Sequence, residues 1–167
     1  MTEKNELQII KQLLDNAASQ IRQARGILFA SEINKKAKEL DQNGDGDIIE
    51  GVFNGEEMVG PDNKVYPVPA NYASKSKLIP GDILKLTVLP DGSFLFKQIG
   101  PIKRKKVVGV LEDLGKGKYT VNVEGKKYRV LCASVTYFKA EEGDKLTIII
   151  PEKGESEWAA IENIIDN

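Results

Sequence analysis

"KVYPVPANYASKSKLIPGDILKLTVLPDGSFLFKQI", Lys64 to Ile99, lies without a gap on "KKYRVLCASVTYFKAEEGDKLTIIIPEKGESEWAAI", Lys126 to Ile161. Lys64, Tyr66, Val68, Lys77, Gly81, Asp82, Leu84, Gly92 and Ile99 meet identical residues, and Phe96 meets Trp158. Leu84, Leu86 and Val88 fall on Leu146, Ile148 and Ile150 with the alternation of half-buried strands. Matches at both turn and core positions mark one supersecondary unit used twice. Upstream, "IEGVF" from Ile49 corresponds to "VGVL" from Val108 through Gly51 and Gly109, and the hairpin that follows is longer in the second copy.

Each copy reads as five short strands: a three-strand meander, a longer connection able to hold a short helix, and a final hairpin. In the first copy the strands are predicted near 48–53, 56–59, 64–69, 82–89 and 93–99. Asn54-Gly55, Pro61-Asp62-Asn63, Pro80-Gly81 and Asp91-Gly92 supply the backbone chemistry of tight reversals. Lys116-Gly117, Glu124-Gly125, Glu142-Gly143 and Lys153-Gly154 do so in the second. This order is that of a small five-stranded OB-type barrel, with an SH3-like barrel as competitor. The fold class expected is mainly β with an N-terminal helical segment: residues 1–42 helical, 43–47 an acidic Gly-rich joint, 48–102 one barrel and 103–167 its repeat. Gly81, Asp82, Gly143 and Asp144 read as turn formers, Tyr66 and Tyr128 as barrel packing, and Cys132, standing where Ala70 does, as a small core residue.

In the helical segment Leu7, Ile10, Leu14, Ala17, Ile21, Ala24 and Leu28 recur in alternating steps of three and four, the a/d seam of a coiled coil. Such a seam points to a homo-oligomer. After Gly26 the phase slips, and Ile33, Ala37 and Leu40 continue in a new register, so either one discontinuous helix or a helical hairpin is expected.

The joint resembles a calcium loop, with Asp41, Asn43, Asp45, Gly46 and Ile48 in EF-hand order. The position that should carry the bidentate Glu is Val52, and the residues after it alternate like a strand. Asp41, Asn43 and Asp45 therefore make a calcium candidate without its strongest ligand, and weak binding at most is expected. The alternative reading of the joint is a pair of turn dipeptides.

The chain has 167 residues, one cysteine and no histidine. Without histidine neither a Ser-His-Asp triad nor a Cys-His pair can be built, and the commonest transition-metal ligand is missing. There is no GxxxxGK[ST] phosphate loop, no apolar run long enough to span a bilayer, and no signal-peptide pattern. A cytoplasmic, non-enzymatic protein with no cofactor and no membrane partner is the expectation. The net charge of −1 hides a segregation. From Pro101 to Val130 nine basic residues face three acidic ones, and from Leu131 to Asn167 eight acidic residues face three lysines. Any polyanion should meet the middle of the chain first. Lys103, Arg104, Lys105 and Lys106 read as an inter-barrel segment, and Lys126, Lys127 and Arg129 follow on the third strand of the second barrel. Within the connections Tyr72, Ser74, Lys75, Lys77, Tyr137 and Lys139 are further binding candidates, because OB folds carry ligand contacts there.

"LIPGDILKLTV", Leu78 to Val88, resembles the start of the fourth strand in S1-type and initiation-factor-one-like OB domains, a resemblance that implies binding to RNA or ribosomes. The whole chain, coiled coil followed by two barrels, resembles the N-terminal region of bacterial proteasomal ATPases, echoed in Gly143, Asp144, Leu146, Gly154, Ala159 and Ile161, without the ATPase module. Strings such as "PANYASKSKL" and "ASVTYFKA" are similar to ones in uncharacterised proteins of reduced-genome bacteria. The function expected is RNA or ribosome binding through the basic segment; the alternative is an oligomeric scaffold or docking collar for a protein partner.

Overall fold

The duplicated segments fold into two copies of one sheet. In the computed structural model, which describes residues 2–40 and 47–165, the first copy contains β1 (Ile48–Phe53), β2 (Glu57–Val59), β3 (Val65–Pro67), α2 (Ala70–Lys75), β4 (Ile83–Val88) and β5 (Phe94–Gly100). The second contains β6 (Arg104–Gly115), β7 (Lys118–Val123), β8 (Lys126–Val130), α3 (Cys132–Phe138), β9 (Lys145–Pro151) and β10 (Ala160–Ile164). Both sheets are antiparallel, in the orders β3-β2-β1-β4-β5 and β8-β7-β6-β9-β10. A central first strand, a helix between the third and fourth strands and a final hairpin are the OB-type order. The calcium candidates Asp41, Asn43 and Asp45 lie outside the described residues. Among the described residues no cluster of acidic or thiol groups could hold a metal ion, and no helix is long and apolar enough to cross a membrane.

The second sheet closes on itself. Arg129 N–H donates to Glu157 C=O at 2.7 Å and Ala159 N–H to Arg129 C=O at 2.9 Å, a parallel bridge between β8 and the approach to β10. In the first copy the residue equivalent to Arg129 is Pro67, which has no N–H to give. Among the described residues no backbone bridge joins β3 to β5; side chains meet there instead, Tyr66 edge-on to Phe94 with ring centroids 6.2 Å apart. Inside the second barrel Leu111, Val121, Tyr128, Val130, Leu146, Ile148 and Ile161 form the core. Phe53, Met58, Leu84, Leu86 and Phe96 do so inside the first.

α1 (Glu3–Lys38) is one continuous helix. Thr2 caps it, with Glu3 and Glu6 in the first turn and Lys35, Lys36 and Lys38 in the last, each sign at the end of the helix dipole that favours it. The phase slip after Gly26 is therefore not a break in the backbone. It is the point where the helix changes what it touches: Phe29, Ile33 and Ala37 are buried against Val52 and Val59 of the first barrel and Trp158 of the second.

Trp158 ties these parts together. Its repeat partner Phe96 stays in the first barrel's core, whereas Trp158 packs among α1, β1 and β2. The β1–β2 turn lies on its ring: a Cβ added at Gly55, whose φ is +121°, would stand 2.2 Å from Trp158 Cδ1. A second joint buries Ile79 of the first barrel with Ile149 and Ala160 of the second. Next to it Asp82, fully buried, accepts hydrogen bonds from Ile79 N–H, Gln98 Nε2 and Ile102 N–H, each at 3.0 Å, and from Arg104 Nη2 at 2.5 Å. Lys36 of α1 donates to the neighbouring Gly81 carbonyl. Burial pulls the Lys36 ammonium below the usual lysine range, with Asp82 and Glu39 working against that shift.

Two residue-level expectations are corrected. Cys132 is exposed at the start of α3 and is not a core residue, because the repeat position it shares with Ala70 opens a helix on the barrel surface. Lys103–Lys106, read as an inter-barrel segment, lies within the second barrel from Arg104 onward, where the chain is already β6, laddered to Ile148–Pro151 of β9.

Candidate nucleic-acid interface

Along β8 the buried Tyr128 and Val130 alternate with the exposed Lys127 and Arg129, so the strand's period of two sends both cations to the outer face. Across the ladder Arg129 stands opposite Thr120 of β7, and Thr120 opposite Glu112 of β6. This outer β7–β8 face forms one wall of a cleft of about 860 Å³. The β6–β7 turn contributes Leu114 and Gly117, and the β9–β10 connection contributes Glu155 to Trp158. The opposite wall is α1, through Ala18, Ile21, Arg22 and Arg25. Six basic residues line the cleft (Arg22, Arg25, Lys118, Lys126, Lys127 and Arg129) against three acidic ones (Glu56, Glu155 and Glu157).

Most of these cations already have partners. Arg25 and Lys126 share the Glu155 carboxylate at 3.5 and 3.0 Å, Arg129 reaches Glu56 at 3.9 Å, and Lys127 reaches Glu112 at 3.5 Å. All four pairs are partly open to solvent, and such pairs are worth about 0–1 kcal/mol each. A polyanion can take these cations over at small cost. The hydrogen bond from Lys126 holds the Glu155 carboxyl below the usual range against a smaller opposing effect of burial, and the charges of Lys126 and Arg25 add to it. The Arg129 guanidinium also lies over the Trp158 ring, 4.3 Å from its centroid. Under this layer the Thr120 hydroxyl and one Glu112 carboxylate oxygen are buried with no protein partner.

The remaining basic candidates sit elsewhere. Lys103 precedes β6, and Arg104, Lys105 and Lys106 lie where β6 ladders with β9, before its ladder with β7 begins at Val110, so this basic group stands apart from the β7–β8 wall and does not line the cleft. Arg104 is tied to buried Asp82. Lys106 and Lys77 both pair with Glu162, at 3.7 and 3.3 Å. Lys75 is exposed in the last turn of α2. Among the other connection residues, the Tyr72 hydroxyl accepts from Gln98 N–H at 2.9 Å and the Ser74 hydroxyl bonds that of Ser134 at 2.9 Å. Lys77 and Lys139, identical in the two copies, both take left-handed backbone conformations after their short helices. Tyr137 is exposed on α3. Sequence reasoning missed Arg22, Arg25 and Lys118. The first two lie on a helix read only for its apolar seam, and nothing in their spacing announces a barrel opposite them.

No protein-family model matches the chain, and neither a curated protein nor a solved structure matches it either.

Proposed function

We propose that this is a non-enzymatic binding protein that takes single-stranded RNA, free or displayed on a ribosome, in the cleft between α1 and the second barrel. The observation that carries this reading is the coincidence of the cationic excess with the outer face of the second and third strands and the two flanking loops. That is the part of an OB-type barrel best placed to hold an extended oligomer. The cleft lining combines the apolar side chains of Leu114 and Leu131 with guanidinium and ammonium groups, which suits bases against the former and phosphates against the latter. The test is titration of a fluorescently labelled single-stranded RNA of mixed sequence at 50 mM salt, with Lys118→Glu/Lys127→Glu alongside the parent. Binding by the parent and a loss of at least tenfold in the variant, with an unchanged melting temperature, are expected. No binding by the folded parent overturns the reading, and so does undiminished binding by the variant.

A further inference from the structure

From Glu3 to Ala17 α1 buries no side chain and lines no part of the cleft. Leu7, Ile10, Leu14, Ile21 and Leu28 are 51–64% exposed, and every residue from Thr2 to Ala18 is exposed. The C-terminal third shows the contrast, with Phe29, Ile33 and Ala37 buried on the barrels. At about 100° per residue the seam lies roughly a third of a turn from that docked face, so docking leaves it exposed from Leu7 to Ala17, and beyond that Ile21 borders the cleft while staying 53% exposed. Gly26 sits at the crossover. A Cβ there would stand 2.7 Å from the Glu157 carboxylate, so the helix passes close to the second barrel just where the seam gives way to the docked stripe. A lone helical arm of this length is marginal in water and keeps a stripe of leucine and isoleucine wet.

We infer that the seam is covered by the same seam of a second copy, with the two helices parallel and in register. With Leu7, Leu14, Ile21 and Leu28 at a and Ile10, Ala17 and Ala24 at d, the flanking e positions carry Lys11 and Arg25, and Glu6 is at g. Parallel in-register pairing sets Glu6 against Lys11 of the other copy, twice, with opposite charges. Antiparallel pairing over the full seam instead sets Lys11 against Arg25, twice, with like charges. Charge therefore selects the parallel arrangement. It places both barrel pairs at one end of the coil. This inference stands on the helix alone and does not depend on RNA binding.

The test combines mass and orientation. Sedimentation at tens of micromolar should give at least twice the chain mass, and Leu14→Asp/Ile21→Asp should give the single-chain mass with the melting transition of the barrels retained, since both side chains are exposed. In a Cys132→Ser background, Ile10→Cys should oxidise to a disulfide-linked pair, because parallel register puts that position beside itself and antiparallel register moves it to the far end. A parent that sediments as one chain overturns self-pairing. An oligomer that survives Leu14→Asp/Ile21→Asp places the contact elsewhere and overturns the seam. An oligomer that gives no cross-linked pair from Ile10→Cys overturns the parallel orientation.

Discussion

Asp82 and Asp144 are the same residue at the same repeat position, and the structure gives them unequal work. Both accept from the backbone N–H three residues earlier, at 3.0 Å in the first copy and 2.8 Å in the second, which is the turn role the sequence indicates. Asp82 alone also receives Arg104, Gln98 Nε2 and Ile102 N–H in full burial. Removing its carboxylate strands the Arg104 guanidinium and three further donors, Ile79 N–H, Gln98 Nε2 and Ile102 N–H, so Asp82→Ala should cost about 3–5 kcal/mol. Asp144→Ala, which loses one partly exposed hydrogen bond, should cost about 1 kcal/mol. Urea melts of the two variants check this, and equal losses would contradict it. The shared turn role was legible because it is local in sequence. The added burial was not, because Arg104 comes from the start of the next barrel. The exchange of Phe96 for Trp158 is of the same kind: the repeat showed a larger aromatic, but only the packing of α1 shows that the ring has left its own core.

At the scale of elements, the strands are the most legible part. Expected strands near 48–53, 82–89 and 93–99 are found at Ile48–Phe53, Ile83–Val88 and Phe94–Gly100, because alternation and glycine turns are local signals. The β9–β10 connection was legible as a turn but not as half of a clamp. Glu155 on that connection holds Lys126 of β8 and Arg25 of α1 at once, so it competes with any phosphate for both. Glu155→Gln should strengthen single-stranded RNA binding by about two- to fivefold at neutral pH, the equivalent of one or two surface pairs released. Its depressed pKa fixes the sign of the pH effect. The clamp is complete above the ordinary carboxylate range and is lost as pH falls through the lowered value. The parent should therefore approach the affinity of Glu155→Gln on acidification, and anisotropy titrations at paired pH values read the difference. A weaker-binding Glu155→Gln would show that the carboxylate positions the cations rather than occupying them.

For the whole molecule, duplication explains two barrels but not how they are joined. The joints use residues that differ between the copies: Trp158 against Phe96, Ile149 against Thr87, and Ala160 against Gln98. Those differences read as ordinary divergence in the sequence, and they acquire meaning only when the interface is seen. The second barrel has a closed core of its own, so a fragment from Lys103 to Asn167 should melt cooperatively. It should also melt below the full chain, because Trp158, Ile149 and Ala160 lose their cover, and a loss of about 2–4 kcal/mol fits the apolar area exposed. Calorimetry of fragment and full chain makes the comparison, and equal stability would mean that the joints contribute nothing.

The central claim is that a single-stranded polyanion lies in the cationic cleft, and the most direct measurement of it is the salt dependence of RNA binding. If the cleft neutralises about three to five phosphates, log K should fall against log salt with a slope of roughly −2 to −3.5, at about −0.7 per phosphate. Arg22→Ala/Lys127→Ala should flatten that slope by about 1.4, whereas Lys103→Ala/Lys105→Ala, at the start of β6 and outside the cleft lining, should leave it unchanged. A slope near zero would contradict the account, as would one that responds to Lys103 and Lys105 and ignores Arg22 and Lys127.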